Sequence, residues 1–249
     1  MSQSVLIVGA GSGLSASLAR RFHAAGMQVA LAARDGEKAR ATPDLVVYNP
    51  SARLRGPVTE LDPEATRAAI ETTCFGAFLV AQQAARQMLA RGSGSILFTG
   101  ASAGVKGFAN SSVFAMGKFG LRGLAQSLAR ELHPQNIHIG HFVIDGGIAS
   151  ERQDRKDDGS DRMLDPDAIA EAYLQFHARS HHPRAPPGRH PSAPRGCHSS
   201  CGAGARKSPV DVMQRSCSKS PAADHQKNDF EFLTDSAGNE HRNMNITGH

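Results

Sequence analysis

The chain has 249 residues, 40% of them hydrophobic, and a formal net charge of +5. This length fits one large domain or a medium domain with an appendage, and the apolar content is enough for a core. The positive charge is scattered and forms no block of five or more Lys or Arg residues, which argues against nucleic-acid binding.

Strands and helices alternate through the first 180 residues. Val5–Val8 is a continuous apolar run ended by glycines, as expected of a parallel strand covered on both faces. The other elements, in chain order, are a helix over Leu14–Ala25, strands over Gln28–Ala33 and Leu45–Tyr48, a helix over Asp62–Arg91, a strand over Ser95–Thr99, a helix over Ser112–His133, a strand over Ile137–Ile144 and a helix from Asp165 to about Arg179. This alternation predicts an α/β fold with a doubly wound parallel sheet.

A glycine-rich turn joins the first predicted strand to the first predicted helix. The pattern G-x-x-x-G-x-G fits there, with the small residue Ser15 in place of the third glycine. Glycines let backbone N–H groups approach a pyrophosphate, and the helix N-terminus adds a favourable dipole. We therefore expect dinucleotide binding, against the alternative of a turn without a ligand, by Gly9, Gly11, Ser12, Gly13 and Leu14.

The end of the second predicted strand bears on the choice between NAD and NADP. It continues as Arg34-Asp35. Arg34 can pair with the 2′-phosphate of NADP, whereas Asp35 can accept a hydrogen bond from the ribose hydroxyl of NAD. We favour NADP, with Arg34 as its ligand, and NAD stays open.

The composition changes sharply near Ser180. The following segment is rich in Pro, Gly, Ser, His and Arg and buries too little apolar surface to offset chain entropy, so we predict a folded domain over 1–180 and a low-complexity, disordered tail over 181–249. No metal site is expected in the tail, because its histidines and cysteines lack a paired Cys-x-x-Cys spacing: His190, Cys197, His198 and Cys201.

The cellular location is predicted from the N-terminus and the cysteines. The first apolar run is about five residues, too short for a signal peptide or a membrane span. The four cysteines form no disulfide framework, which favours a reducing compartment. We expect a cytoplasmic protein without membrane association.

Three further motifs follow predicted strands. Asn49-Pro50-Ser51-Ala52 follows one strand, Gly100 to Gly104 follows another before a helix with Phe114-Ala115-Met116-Gly117-Lys118, and Asp145 to Ser150 follows a third. Together with the glycine loop, they resemble the short-chain dehydrogenase/reductase family over about residues 1–180. The resemblance implies a Rossmann-like sheet, a nicotinamide cofactor and a small carbonyl or alcohol substrate. It also implies cofactor contacts at Asn49, Lys118 and Ile148.

The resemblance assigns catalytic roles and shows two departures. Ser102 would bind the substrate carbonyl, and Lys118 would hold the nicotinamide ribose and lower the pKa of a neighbouring tyrosine. Phe114 stands at that tyrosine's position and has no exchangeable proton, and Thr73 replaces an asparagine that helps to hold a relay water. General acid–base help is typically worth ~10²- to 10⁴-fold, so we expect slow chemistry with cofactor binding retained. Tyr48, near another strand end, is a poor replacement.

Two pieces of the family pattern are missing, so we predict shortened sheet edges. Only nine residues, 35–43, stand where the family has a helix, a strand and another helix, and the family's final strand is absent. Loss of a covering helix would expose apolar surface on the sheet.

The leading interpretation is an NADP(H)-dependent oxidoreductase acting on a carbonyl/alcohol pair. The alternatives are a catalytically impaired dinucleotide-binding protein and a non-functional truncated variant. The two long helices are expected either to form an intersubunit bundle in a homo-oligomer or to cover the sheet with their apolar faces.

Overall fold

A parallel sheet forms the centre of the protein. The computed structural model describes residues 2–32, 43–150, 163–180 and 210–212, all within one compact unit. The strands of the main sheet are β1 (Ser4–Val8), β2 (Gln28–Ala32), β3 (Leu45–Tyr48), β4 (Gly94–Thr99), β5 (Ile137–Ile144) and β8 (Val210–Val212), and a separate pair consists of β6 (Gly147–Ile148) and β7 (Met163–Leu164).

The strands lie in the order β2-β1-β3-β4-β5-β8. Every pairing from β2 to β5 is parallel, and β8 pairs antiparallel with β5. Because the sheet order departs from the chain order, the connections cross over the sheet, and helices cover both of its faces. The predicted Rossmann-like, doubly wound sheet is confirmed.

The helices are α1 (Leu14–Ala24), α2 (Pro63–Ile70), α3 (Gly76–Arg91), α4 (Ser112–Leu132) and α5 (Pro166–Ser180). On one face of the sheet, α1 and α5 bury a cluster that includes Phe22, Phe142 and Tyr173, whose Phe142 and Tyr173 rings stack at a centroid distance of 3.6 Å. On the other face, alanines of α3 and apolar residues of α4 pack against the sheet. No helix in the described ranges is both long and apolar enough to cross a membrane.

The predicted single helix over Asp62–Arg91 is interrupted. Asp62 caps α2, and its carboxylate accepts a hydrogen bond from the Ala65 amide at 2.6 Å. A π-helical turn over Glu71–Phe75 then separates α2 from α3. Such turns often occur at functional sites, and this one contains Thr73.

The two edges of the sheet bear on the predicted shortening. Among the described residues β2 is one edge strand, and its Leu31 side chain is 50% exposed, as expected if a covering helix is missing. At the other edge, Val210–Val212 forms a strand inside the segment that composition predicted to be disordered. This Val-Asp-Val sequence has the residue types that favour a strand, which the average composition of the tail does not reveal. The rest of 181–249 lies outside the described residues.

Candidate active site

A cavity of about 540 Å³ opens at the carboxyl ends of β1, β3, β4 and β5. Ligands of open α/β sheets bind in this position, and the volume suits a small-molecule site. Most of the predicted site residues line it together: Gly9, Gly11, Ser12, Gly13, Leu14, Asn49, Phe114, Lys118 and Ile148. Arg34 lies outside the described residues, as do residues 190–201 and residues 151–162.

The glycine loop has the backbone shape that a phosphate-binding turn requires. Gly9 has a φ of +91°, and a Cβ atom there would lie 2.9 Å from the Pro50 ring, so a side chain is excluded. A Cβ atom at Gly11 would meet nothing within 4 Å, which leaves that backbone open to a ligand. Gly13 is the residue before α1, and no side chain caps the helix there. The amide groups at the start of α1 are therefore available to an anion.

Hydrogen bonds fix this loop against the neighbouring strand. The Ser15 hydroxyl donates to the Gly9 carbonyl at 2.6 Å and accepts from the Asn49 amide group at 2.8 Å. Ser15 is 2% exposed and takes the place of the family's third glycine. Asn49 therefore supports the glycine loop as well as lining the cavity.

Lys118 lies at the bottom of the cavity. Its side chain is 2% exposed, and Nζ donates a hydrogen bond to the Thr99 carbonyl at 2.8 Å. Burial and, to a smaller extent, the nearby Arg53 cation lower the pKa of Lys118 to about 7. Near neutral pH this amine can therefore take up or release a proton.

Phe114 places an aromatic ring without a hydroxyl on the cavity wall. It lies one helical turn before Lys118 on α4, so both side chains face the cavity. The ring centroid is 5.8 Å from Lys118 Nζ and 4.5 Å from the Arg53 guanidinium carbon. The sequence analysis did not single out Arg53, because this residue lies one position beyond the Asn49–Ala52 motif and is not part of it.

The segment after β4 differs from the sequence expectation. Ala101 lines the cavity, and Ser102 is not among the described residues that do so. Ser102 begins a short 3₁₀ turn. Its carbonyl accepts hydrogen bonds from the backbone amides of Val105 and Lys106 at 2.9 and 3.0 Å. The hydroxyl expected at the wall is thus replaced by the Ala101 methyl group, one residue earlier in the chain.

Thr73 links the π-helical turn to the site loops. It is 1% exposed, and its hydroxyl accepts a hydrogen bond from the Ala52 amide at 3.0 Å. A Cβ atom at Gly117 would lie 3.0 Å from the Thr73 side chain, so α4 also packs closely here. The Thr73 side chain therefore holds the loop after β3 in place.

Both tyrosines of the chain form hydrogen bonds outside the cavity. The Tyr48 hydroxyl donates to the Thr72 carbonyl at 2.6 Å, and burial raises the pKa of Tyr48 to about 12. The Tyr173 hydroxyl pairs with the Thr99 hydroxyl at 2.9 Å, and burial raises its pKa. Neither phenol lines the cavity, so the position of Phe114 has no tyrosine substitute.

His141 lies beneath the floor of the cavity. A Cβ atom on the lining residue Gly100 would lie 2.5 Å from the imidazole ring, which is 3% exposed. Both ring nitrogens lack a hydrogen-bond partner in the described structure. Burial, together with smaller contributions from the cations Lys118 and Arg122, lowers the pKa of His141 to about 4, so the ring is neutral at physiological pH.

Comparisons with known proteins agree with this architecture. A family model described as short chain dehydrogenase matches residues 42–160. A solved short-chain dehydrogenase from Rhodopseudomonas palustris is 30% identical with a TM-score of 0.59, and the match covers 70% of this chain and 91% of that one. The chain therefore belongs to the short-chain dehydrogenase/reductase family of oxidoreductases, whose members bind NAD or NADP.

Two curated relatives show how far the sequence likeness extends. The 3-oxoacyl-[acyl-carrier-protein] reductase MabA of Mycobacterium tuberculosis is 27% identical, over 71% of this chain and 78% of its own length. Human 17-beta-hydroxysteroid dehydrogenase type 1 is 33% identical over 39% of this chain. That match spans 29% of the human protein, and the match to trans-4-hydroxycyclohexanecarboxylate dehydrogenase of Sinomonas cyclohexanicum spans 38% of the bacterial one.

Proposed function

We propose that this protein is an NADP(H)-dependent oxidoreductase that interconverts a small carbonyl compound and its alcohol. The observation that carries the proposal is the meeting of the glycine loop, Asn49, Ile148 and Lys118 around one cavity. The open Gly11 backbone and the uncapped start of α1 fit a pyrophosphate. The preference for NADP is supported by Arg34 after β2, which can pair with a 2′-phosphate.

When bound, the cofactor supplies or accepts the hydride. The protein must then deliver or remove the proton at the substrate oxygen. Lys118 is the candidate for this step, because its amine lines the cavity and its pKa is lowered to about 7. In the reducing direction the Lys118 ammonium would release a proton to the developing alkoxide and regain one from solvent.

A catalytically impaired dinucleotide-binding protein is the second candidate. It is favoured by the two apolar groups, Phe114 and Ala101, that line the cavity where a hydroxyl would help catalysis. Such a protein would keep its affinity for the cofactor and lose most of its turnover, because the glycine loop is separate from these two groups.

Cofactor titration followed by turnover assays separates the two candidates. We expect NADPH to bind at least tenfold more tightly than NADH, and we expect slow oxidation of NADPH with some aldehydes or ketones. Lys118→Met should then abolish the remaining turnover, while the exposed Lys106→Met serves as the matched control. Binding without turnover on a broad panel favours the second candidate, and failure of both nucleotides to bind overturns both.

We also propose that the protein forms a homo-oligomer in the cytoplasm. Five apolar side chains on the π-helical turn, α3 and α4 are between 41% and 53% exposed: Phe75, Phe78, Leu79, Met116 and Phe119. We call these five residues the exposed helix patch. Burying them against a second copy would remove apolar area from water, which supports self-association. The predicted cytoplasmic location rests on the cysteine pattern of the sequence.

A further inference from the structure

We propose that Arg53 determines substrate specificity by binding a carboxylate group, so that the protein acts on carbonyl compounds that carry an acid. This inference rests on the proposed function and names its substrate class. The starting observation is the position of the Arg53 guanidinium, which lines the cavity and lies 4.5 Å from the centroid of the Phe114 ring.

The position of Arg53 assigns it to the substrate part of the cavity. Arg53 follows β3, and Phe114 and Lys118 belong to the helix that follows β4. The glycine loop follows β1. In the sheet, β1 and β4 lie on opposite sides of β3. Arg53 therefore lies beside the residues expected to surround the reacting carbonyl, while the backbone amides of the glycine loop serve the pyrophosphate.

Two cationic side chains, Arg53 and Lys118, line the described part of the cavity. The two cations repel each other, which contributes to the lowered pKa of Lys118. A substrate carboxylate would offset this repulsion, and its binding would favour the protonated Lys118 amine that the reduction requires.

Arginine suits this role better than the other cationic side chains. Its planar guanidinium donates two parallel hydrogen bonds to a carboxylate, and it stacks on aromatic faces. The Phe114 ring offers such a face to Arg53. Arg53 is an exposed residue, and stacking on the ring restricts the position of its guanidinium. A phenylalanine at position 114 thus provides a platform for Arg53 although it lacks a proton donor.

The test compares acids with neutral molecules of the same shape. Straight-chain α- and γ-keto acids of increasing length and their primary amides are titrated into the protein saturated with NADPH. The readout is the immediate change in NADPH fluorescence on mixing, before the slow oxidation proceeds, so the test does not depend on turnover. We expect at least one keto acid to bind at least tenfold more tightly than its amide.

The variants then assign this preference to one side chain. Arg53→Gln should weaken binding of that acid about 10- to 100-fold and leave its amide and NADPH within about twofold, while Arg53→Lys should restore part of the affinity. Arg55→Gln is the matched control, because Arg55 is an exposed arginine of the same loop that is not among the cavity-lining residues. Its acid affinity should stay unchanged.

Three results would overturn the inference. The first is equal affinity for acids and amides, or no acid binding at all, in protein that binds NADPH normally. The second is an Arg53→Gln variant that keeps its acid affinity. The third is a selective loss of NADPH affinity in Arg53→Gln, which would make Arg53 a cofactor ligand. If the unmodified protein fails to bind either nucleotide, the proposed function itself fails, and that result is distinct from these three.

Discussion

Replacing Phe114 by Tyr should restore the proton donor that the cavity lacks. The Phe114 side chain is 8% exposed and lines the cavity, so a hydroxyl added to the ring edge would lie in or beside the substrate space. The cations Lys118 and Arg53 lie 5.8 and 4.5 Å from the ring centroid. Positive charges at this range stabilise a phenolate, so we expect the new phenol to have a pKa below the ordinary value of about 10.

The size of the gain follows from what a general acid contributes. A positioned acid is typically worth ~10²- to 10⁴-fold, which corresponds to about 3–5 kcal/mol of activation free energy. We expect Phe114→Tyr to raise kcat for carbonyl reduction by at least ~10²-fold. Adding Ala101→Ser should increase the rate further, because both hydroxyls would then meet the same substrate oxygen at the cavity wall.

The assay is the oxidation of NADPH over a range of pH, with the dissociation constant of NADPH measured beside it. Phe108→Tyr is the matched control, because Phe108 is 46% exposed and is not among the cavity-lining residues. It should leave the rate unchanged. If Phe114→Tyr binds NADPH normally and shows no gain on any substrate turned over by the unmodified protein, the reasoning about the missing proton donor is refuted.

Three further predictions follow from the packing. Gly9→Ala should weaken cofactor binding at least tenfold, because its φ of +91° and a Cβ only 2.9 Å from the Pro50 ring would distort the phosphate loop; isothermal titration measures this. The free energy of unfolding should fall as the pH drops from about 6.5 to about 4, since the unfolded chain protonates His141 first, and His141→Leu should flatten that profile in urea titrations. Phe119→Glu, within the exposed helix patch, should shift the protein to a smaller species in sedimentation experiments.

Each of these predictions has a control. Gly123→Ala lies in the middle of α4 with nothing within 4 Å of the added Cβ, so it should keep cofactor affinity and raise stability by about 0.5–1 kcal/mol. Replacing the exposed His23 by Leu should leave the acid-dependent loss of stability in place. Val58→Glu, at a 76% exposed position outside the exposed helix patch, should leave the sedimentation unchanged. If a control variant shows the same effect as the variant with which it is compared, the physical reason given for that effect is contradicted.

The order of elements and the glycine loop could be predicted from the sequence because their signals are local. β3 and β5 have the predicted bounds, Leu45–Tyr48 and Ile137–Ile144. The continuous apolar run of β3 is typical of a buried parallel strand. The positive φ of Gly9 is a backbone conformation that glycine adopts readily. The shared face of Phe114 and Lys118 follows from the helical repeat alone.

The tertiary structure decided which side chains reach the cavity. Ala101 rather than Ser102 lines the wall, because the chain turns after β4 and a shift of one residue changes which side chain faces the ligand. Arg53 enters the site from the loop after β3, and its neighbour Phe114 is distant in the chain. Such residues come together only because the carboxyl ends of the parallel strands lie at one edge of the sheet. The local sequence pattern around each residue does not predict this proximity.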